Sequence, residues 1–203
     1  MGMSVLILVL ALTGNAQAGK DPCTRDSDDM ASTSSELMVL YQGTRKDYEE
    51  QTPDQDKNNK KRISTVWKMH NGGTICTPLN MMHASWVLSR SRDVEQNQVA
   101  HEYAKEAMAH HIDEAAWLTA VSYDRWFVAR GMAQRYGTQR SVENGRLCLY
   151  PLKEGATDQE RQQFGHQPIA AVYKAILDAS DIKEPPTEAT LRQRNLFCDL
   201  KPW

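Results

Sequence analysis

"YDRWFVARGMAQRYGTQRSVENGRLCLYPL", residues 123–152, changes its period halfway. The first part continues a helix expected from about Asp113 to Arg130, with Trp117, Leu118, Val121, Trp126 and Phe127 as its apolar positions and Gly131 as its stop. The second part holds Asn144-Gly145 between two runs of strand character. Both central residues of a type I′ turn need positive φ, which Asn and Gly accept, so a tight hairpin is expected over about residues 135–152. Between helix and hairpin runs a dense polar string. Asp124, Arg125, Gln134, Tyr136, Thr138 and Gln139 form one candidate ligand-binding set. On a first strand, Tyr136 and Thr138 would face one side and Gly137 and Gln139 the other.

On either side the chain reads as helix. "TSSE" (Thr33–Glu36) has the capping-box pattern ahead of Leu37, Leu40, Tyr41 and Tyr48. "TPDQ" (Thr52–Gln55) offers another cap, with proline at the first helical position, ahead of Ile63, Val66, Trp67 and His70; "NGG" (Asn71–Gly73) ends that helix. Thr77-Pro78 starts a third helix with Leu79, Met82 and Trp86 along one stripe. A bend near Asp93 precedes a fourth, carried by Val99, Tyr103 and Ala107. After the hairpin, "TDQE" (Thr157–Glu160) is a further capping box with Gly165 as a stop. Ile169, Val172, Tyr173, Ile176 and Leu177 then make a helical face, and "EPP" (Glu184–Pro186) breaks the chain before a short last helix. The expected fold class is mainly α: a single multi-helix domain with one small β-hairpin.

The N terminus predicts export. Val5–Gly14 is an apolar run too short to span a bilayer as a mature helix, and Ala16 and Ala18 stand in the A-x-A arrangement of a cleavage site. Residues 1–18 therefore read as a signal peptide and 19–203 as one domain, periplasmic or secreted, with no stable membrane anchor after cleavage. Four cysteines in an exported chain read as two disulfides among Cys23, Cys76, Cys148 and Cys198. Three pairings are open; the preferred one ties the termini, Cys23 with Cys198, and joins Cys76 to Cys148. The net charge of −2 gives no argument for nucleic acid, and Lys57–Arg62 ("KNNKKR") reads as a solvated helix face.

No G-x-S-x-G elbow and no phosphate-binding glycine loop occurs. "HEYAK" (His101–Lys105) carries Lys105 where a zinc-protease helix needs its second histidine, and His110 and His111 point about 100° apart on a helix. No metal and no cofactor is expected. His70 and His83 read as packed or capping residues and His166 as a loop residue.

Asp124 to Gln139 resembles the hallmark of a bacterial domain family of unknown function, in which D-R and an apolar helix turn precede G-x-x-Q-x-Y-G-T-Q. The resemblance extends more loosely over about Glu36 to Tyr173, through "DKNN", "ASWVLSRSRD" and "DQERQQFGHQPIAAVY", and implies a family-like core of about residues 36–177. It departs at the end of the third helix, where the family has a Gln-His pair and this chain reads Ser89-Arg90, so a catalytic histidine there would be missing. The resemblance implies a fold and the place of a site, and no chemistry.

Three functional readings follow. The polar string could hold a small polar ligand or a protein partner at the helix–hairpin junction. It could serve an envelope-directed hydrolase or transferase, with Asp124 or a nearby histidine as base and Arg125 stabilising charge. Or it could be a structural brace in which the polar groups satisfy one another.

Overall fold

The computed structural model describes Cys23, residues 27–153 and residues 157–202. The expected signal peptide lies outside them. Among the described residues the chain forms α1 (Ser27–Glu49), α2 (Gln55–Asn71), α3 (Pro78–Leu88), α4 (Val94–Ala109), α5 (Ala115–Ala129), β1 (Arg140–Glu143), β2 (Arg146–Leu149), α6 (Asp158–Gln163), α7 (Ile169–Ala179) and α8 (Glu188–Gln193). The mainly helical class with one hairpin and two disulfides is the observed one.

α3 is the axis of the helical part. Every residue from Met82 to Leu88 is buried, as a helix covered on all sides requires. The expected stripe is therefore incomplete: Met82 and Trp86 are in the core, while Leu79, in the first turn, is exposed. On one side Ala84, Val87 and Leu88 meet Leu37 of α1 and Ile63 and Val66 of α2. On the other, Met82 and Trp86 meet Ala104 and Ala107 of α4 and Leu118 of α5. α4 turns Ala100, Ala104 and Ala107 inward, small residues that allow close helix approach; Val99 and Tyr103, expected to lead its apolar face, are only partly buried. Asp47 accepts from Arg62 Nη1 at 2.7 Å and Asn58 Nδ2 at 3.0 Å, which fastens α1 to α2.

The caps sort by context. Thr77 and Thr157 each accept from the backbone N–H three residues on, as their patterns predict, and Asp93, expected only at a bend, caps α4 in the same way. Thr33 does not cap, because α1 begins at Ser27. Inside that helix the hydroxyls of Ser34 and Ser35 bond back to the carbonyls of Met30 and Ala31. α2 likewise starts at Gln55 rather than just after Thr52, with Thr52 and Pro53 in the preceding turn.

The hairpin is shorter than expected. Asn144 and Gly145 have φ of 51° and 75°, and the pairing runs from Arg140↔Leu149 to Glu143↔Arg146. Residues 134–139 are not strand; the predicted alternation of Tyr136 and Thr138 against Gly137 and Gln139 is replaced by a looped segment with Gly137 at φ 67°. The C-terminal chain then lies along β2: Leu149 N–H donates to the Leu196 carbonyl and Cys198 N–H to the Leu149 carbonyl. Leu149, Tyr173, Ile176, Leu177, Leu191 and Leu196 make the core of this part.

This addition of the C-terminal segment to β2 corrects the preferred cysteine pairing. It sets Cys198 beside Cys148, and these two are bonded; Cys23 is bonded to Cys76 in the turn between α2 and α3. The fold thus has one staple at each end. Two disulfides fit an oxidising compartment outside the cytoplasm, and no helix among the described residues is long and apolar enough to cross a membrane. Cys148–Cys198 closes a sequence separation of 50 residues. Replacing both by serine is expected to lower stability by about 3–4 kcal/mol, the loop-closure contribution for that length, read from denaturant unfolding under non-reducing conditions. Peptide mapping that linked Cys23 to Cys198 would contradict the arrangement.

Candidate functional site: a cleft beside a buried carboxylate

Asp124 and Arg125 are neighbours on α5, so their side chains leave the helix about 100° apart. Asp124 is fully buried. Gly131, at φ 70°, ends α5 and turns the chain back, so that residues 135–138 wrap the carboxylate. Oδ1 accepts from the N–H groups of Arg135 (2.7 Å) and Tyr136 (2.9 Å). Oδ2 accepts from Thr138 N–H (3.0 Å) and the Thr138 hydroxyl (2.9 Å). Burial pushes the Asp124 carboxyl up, against the pull of these donors. The side chain faces no opening and meets donors at both oxygens, so it is not placed to take a proton from a substrate.

Gln134, also fully buried, closes the next ring. Its Oε1 accepts from Gln139 N–H at 2.7 Å, and its Nε2 donates to the carbonyls of Gln139 (3.0 Å) and Tyr150 (2.7 Å). Tyr136 is buried with its ring edge-on to Tyr123 and Phe164. Asp124, Gln134 and Tyr136 are therefore architecture. At Gly137 an added Cβ would stand 2.7 Å from Ile169 Cδ1 and 3.0 Å from Arg161 Nη1, at a φ that side chains avoid.

The other three members of the polar string, Arg125, Thr138 and Gln139, line a cleft of about 350 Å³. Arg125 Nε donates to Gln139 Oε1 at 2.9 Å and its Nη1 to the Ser89 carbonyl at 2.6 Å. Residues far apart in sequence complete the walls: Tyr48, Arg90, Trp117, Arg140, Arg161, His166 and Gln167. Arg90, just past α3, lies over the rings of Tyr48 and Trp86, 4.3 Å from each centroid. Its Nε and Nη2 are buried without a hydrogen-bond partner. Arg161, in α6, is 2% exposed; Nε donates to the Gln167 carbonyl at 2.8 Å, while Nη1 is buried without a partner. His166 stacks on Trp117 with ring centroids 6.0 Å apart. Arg140 is exposed.

Arg90 and Arg161 thus keep buried N–H groups without an acceptor. Burial pushes the Arg90 guanidinium down to about 9, and the nearby Arg125 charge adds to the push. Burial pushes Arg125 down to about 10. Arg161 is also lowered by burial, with the Asp124 and Asp158 charges pulling the other way. Burial pushes the His166 imidazole down, the Trp117 carbonyl resists, and the Arg161 charge adds to the push. A guanidinium keeps its proton across the physiological range, so these shifts register the cost of burying charge.

Half of the sequence-derived set thus reaches the cleft. Arg90, Arg161 and His166 were not in it, although each sits in or beside a stretch that was singled out: Arg90 at the Ser89-Arg90 departure, Arg161 and His166 in "DQERQQFGHQPIAAVY". Of the other histidines, His70 and His101 are packed and His110 and His111 are exposed. His70 Nδ1 is 2.8 Å from the Tyr103 hydroxyl, His101 Nδ1 is 3.2 Å from the Thr119 carbonyl, and exposed His110 pairs with Glu106.

Asp124→Asn places an N–H₂ where one oxygen met backbone donors and leaves at least one buried N–H unsatisfied. Each such loss is about 1–3 kcal/mol, so a decrease of about 3 kcal/mol is expected, or about 6–12 °C in melting temperature for a chain of this size. Unchanged melting would remove the carboxylate as the organising centre of the loop.

Comparison with protein-family models, with curated proteins and with solved structures returns no match for this chain.

Proposed function

We propose that this chain is an exported, disulfide-stapled binding domain that holds a small polar ligand in the cleft at the helix–hairpin junction. The observation that carries this reading is the cleft itself: about 350 Å³, within the size range of metabolite sites, walled on one side by Arg125, Thr138 and Gln139. The carboxylate network behind it supports the reading, because it fixes the backbone of residues 135–139 against α5 and gives the cleft a rigid wall. Export is supported by the apolar run with its A-x-A end and by the two disulfides. We place the chain with the family of the Y-G-T-Q block on that stretch alone.

A hydrolase or transferase is less favoured because Asp124, the leading candidate for a base, is enclosed by backbone donors. The brace reading accounts for Asp124, Gln134 and Tyr136 and leaves the acceptor-less buried N–H groups of Arg90 and Arg161 unexplained.

Screening the oxidised protein against a metabolite library by thermal shift is expected to give ligands that raise the melting temperature, as any ligand selective for the native state does. Arg125→Ala is expected to weaken such a ligand at least tenfold while the far-ultraviolet circular dichroism stays the same. A well-folded Arg125→Ala protein with unaltered affinity would sink the reading. Expressed with its own N terminus in a bacterium, the protein is expected outside the cytoplasm with Gly19 as its first residue. Retention in the cytoplasm with residues 1–18 intact would count against export.

A further inference from the structure

Resting on the binding reading above, we infer that the ligand of this cleft is a small organic anion, recognised through a carboxylate or phosphate group by guanidinium groups converging from different elements. Arg90 comes from the end of α3, Arg125 from α5, Arg140 from the start of β1 and Arg161 from α6. No aspartate or glutamate is among the described residues that line the cleft with them.

Buried charges in proteins are ordinarily paired, because desolvation without compensation is unfavourable by several kcal/mol per ion. The acids nearby are mainly engaged elsewhere, with Asp158 at the edge of ion-pair range of Arg161. Asp124 lies behind the loop and accepts from its backbone; Glu160 is bound to Arg135 through three contacts of 2.7–3.0 Å. Asp158 accepts from Ile169 N–H and stands 3.9 Å from Arg161 Nε. The two rings against Arg90 offset part of its charge. They do not supply hydrogen-bond acceptors to its buried Nε and Nη2, and Arg161 Nη1 has none either.

The complement of two buried guanidinium groups with N–H positions lacking an acceptor, Arg90 and Arg161, is an oxyanion. Guanidinium geometry matches the paired oxygens of carboxylates and phosphates, and such bonds are the strong, charge-assisted kind. The cavity volume and the Trp117–His166 wall add room and apolar surface for an organic part. The positive charge is local, since the whole chain carries −2. That arrangement suits a small anion in a cleft better than an extended polyanion, which needs a basic surface.

The test is calorimetric titration of the oxidised protein with inorganic phosphate, with citrate as a tricarboxylate, and with glucose as a neutral polar control, at low and at moderate salt. Saturable binding of phosphate, citrate or both is expected, weakening several-fold as salt is raised, with no heat from glucose. Which anion binds more tightly separates phosphorylated from carboxylate ligands. Arg140→Gln, at an exposed position where folding is not at stake, is expected to weaken binding about tenfold. Arg161→Gln, verified as folded, is expected to abolish it. Anion binding unchanged in both variants would overturn the assignment to this cleft. Glucose binding with both anions silent would overturn the anionic class and leave the polar-ligand reading standing. Silence from all three probes, together with an empty library screen, would overturn both.

Discussion

A carboxylate that no water reaches must be met by donors, and the region between α5 and the hairpin is organised by that requirement at Asp124. The side chain collects N–H groups from three residues of one short loop, together with a hydroxyl from the same loop. Convergence of that kind demands a turned backbone rather than an extended one. Gly137 supplies the turn where a Cβ would meet Ile169 and Arg161. Gln134 then bridges the two ends of the loop through its own amide. Position 124 thus performs, with a single charged group, the closure that strand pairing provides farther along the hairpin.

The cleft follows from the same geometry. Because Asp124 points into the loop, Arg125 points to the other side, toward the end of α3 and the Ser89 carbonyl. The loop's outer surface presents Thr138 and Gln139 beside it, and the turn after α6 brings His166 against Trp117. The helical part and the hairpin part therefore meet across the cleft, with guanidinium groups contributed from both. Charge that would be unfavourable in a purely structural contact is concentrated where a ligand could enter.

Much of the fold was legible because it rests on local rules. The hairpin follows from the positive φ that Asn144-Gly145 accepts, and the starts of α3 and α6 follow from Thr77 and Thr157 beside a first helical turn. Two caps read with the same rule failed. Thr33 has the right spacing but lies inside a longer helix, where its serine neighbours bond back along the axis. The strand expected at Tyr136–Gln139 also failed, since the pull of a buried carboxylate eleven or more residues away in sequence outweighed any local preference for extension.

The sequence by itself determined the helical class, the single hairpin, the even set of cysteines and the polar string beside the cleft, because each depends on side-chain periodicity, turn stereochemistry or composition within a few residues. Tertiary structure alone decided which of two adjacent residues, Asp124 or Arg125, would be enclosed and which would face the cleft. It also decided that Cys198 meets Cys148, and that Arg90 and Arg161 share a wall with Arg125. Those outcomes depend on which surfaces pack together across the whole chain. No short window of sequence contains both partners of such a contact.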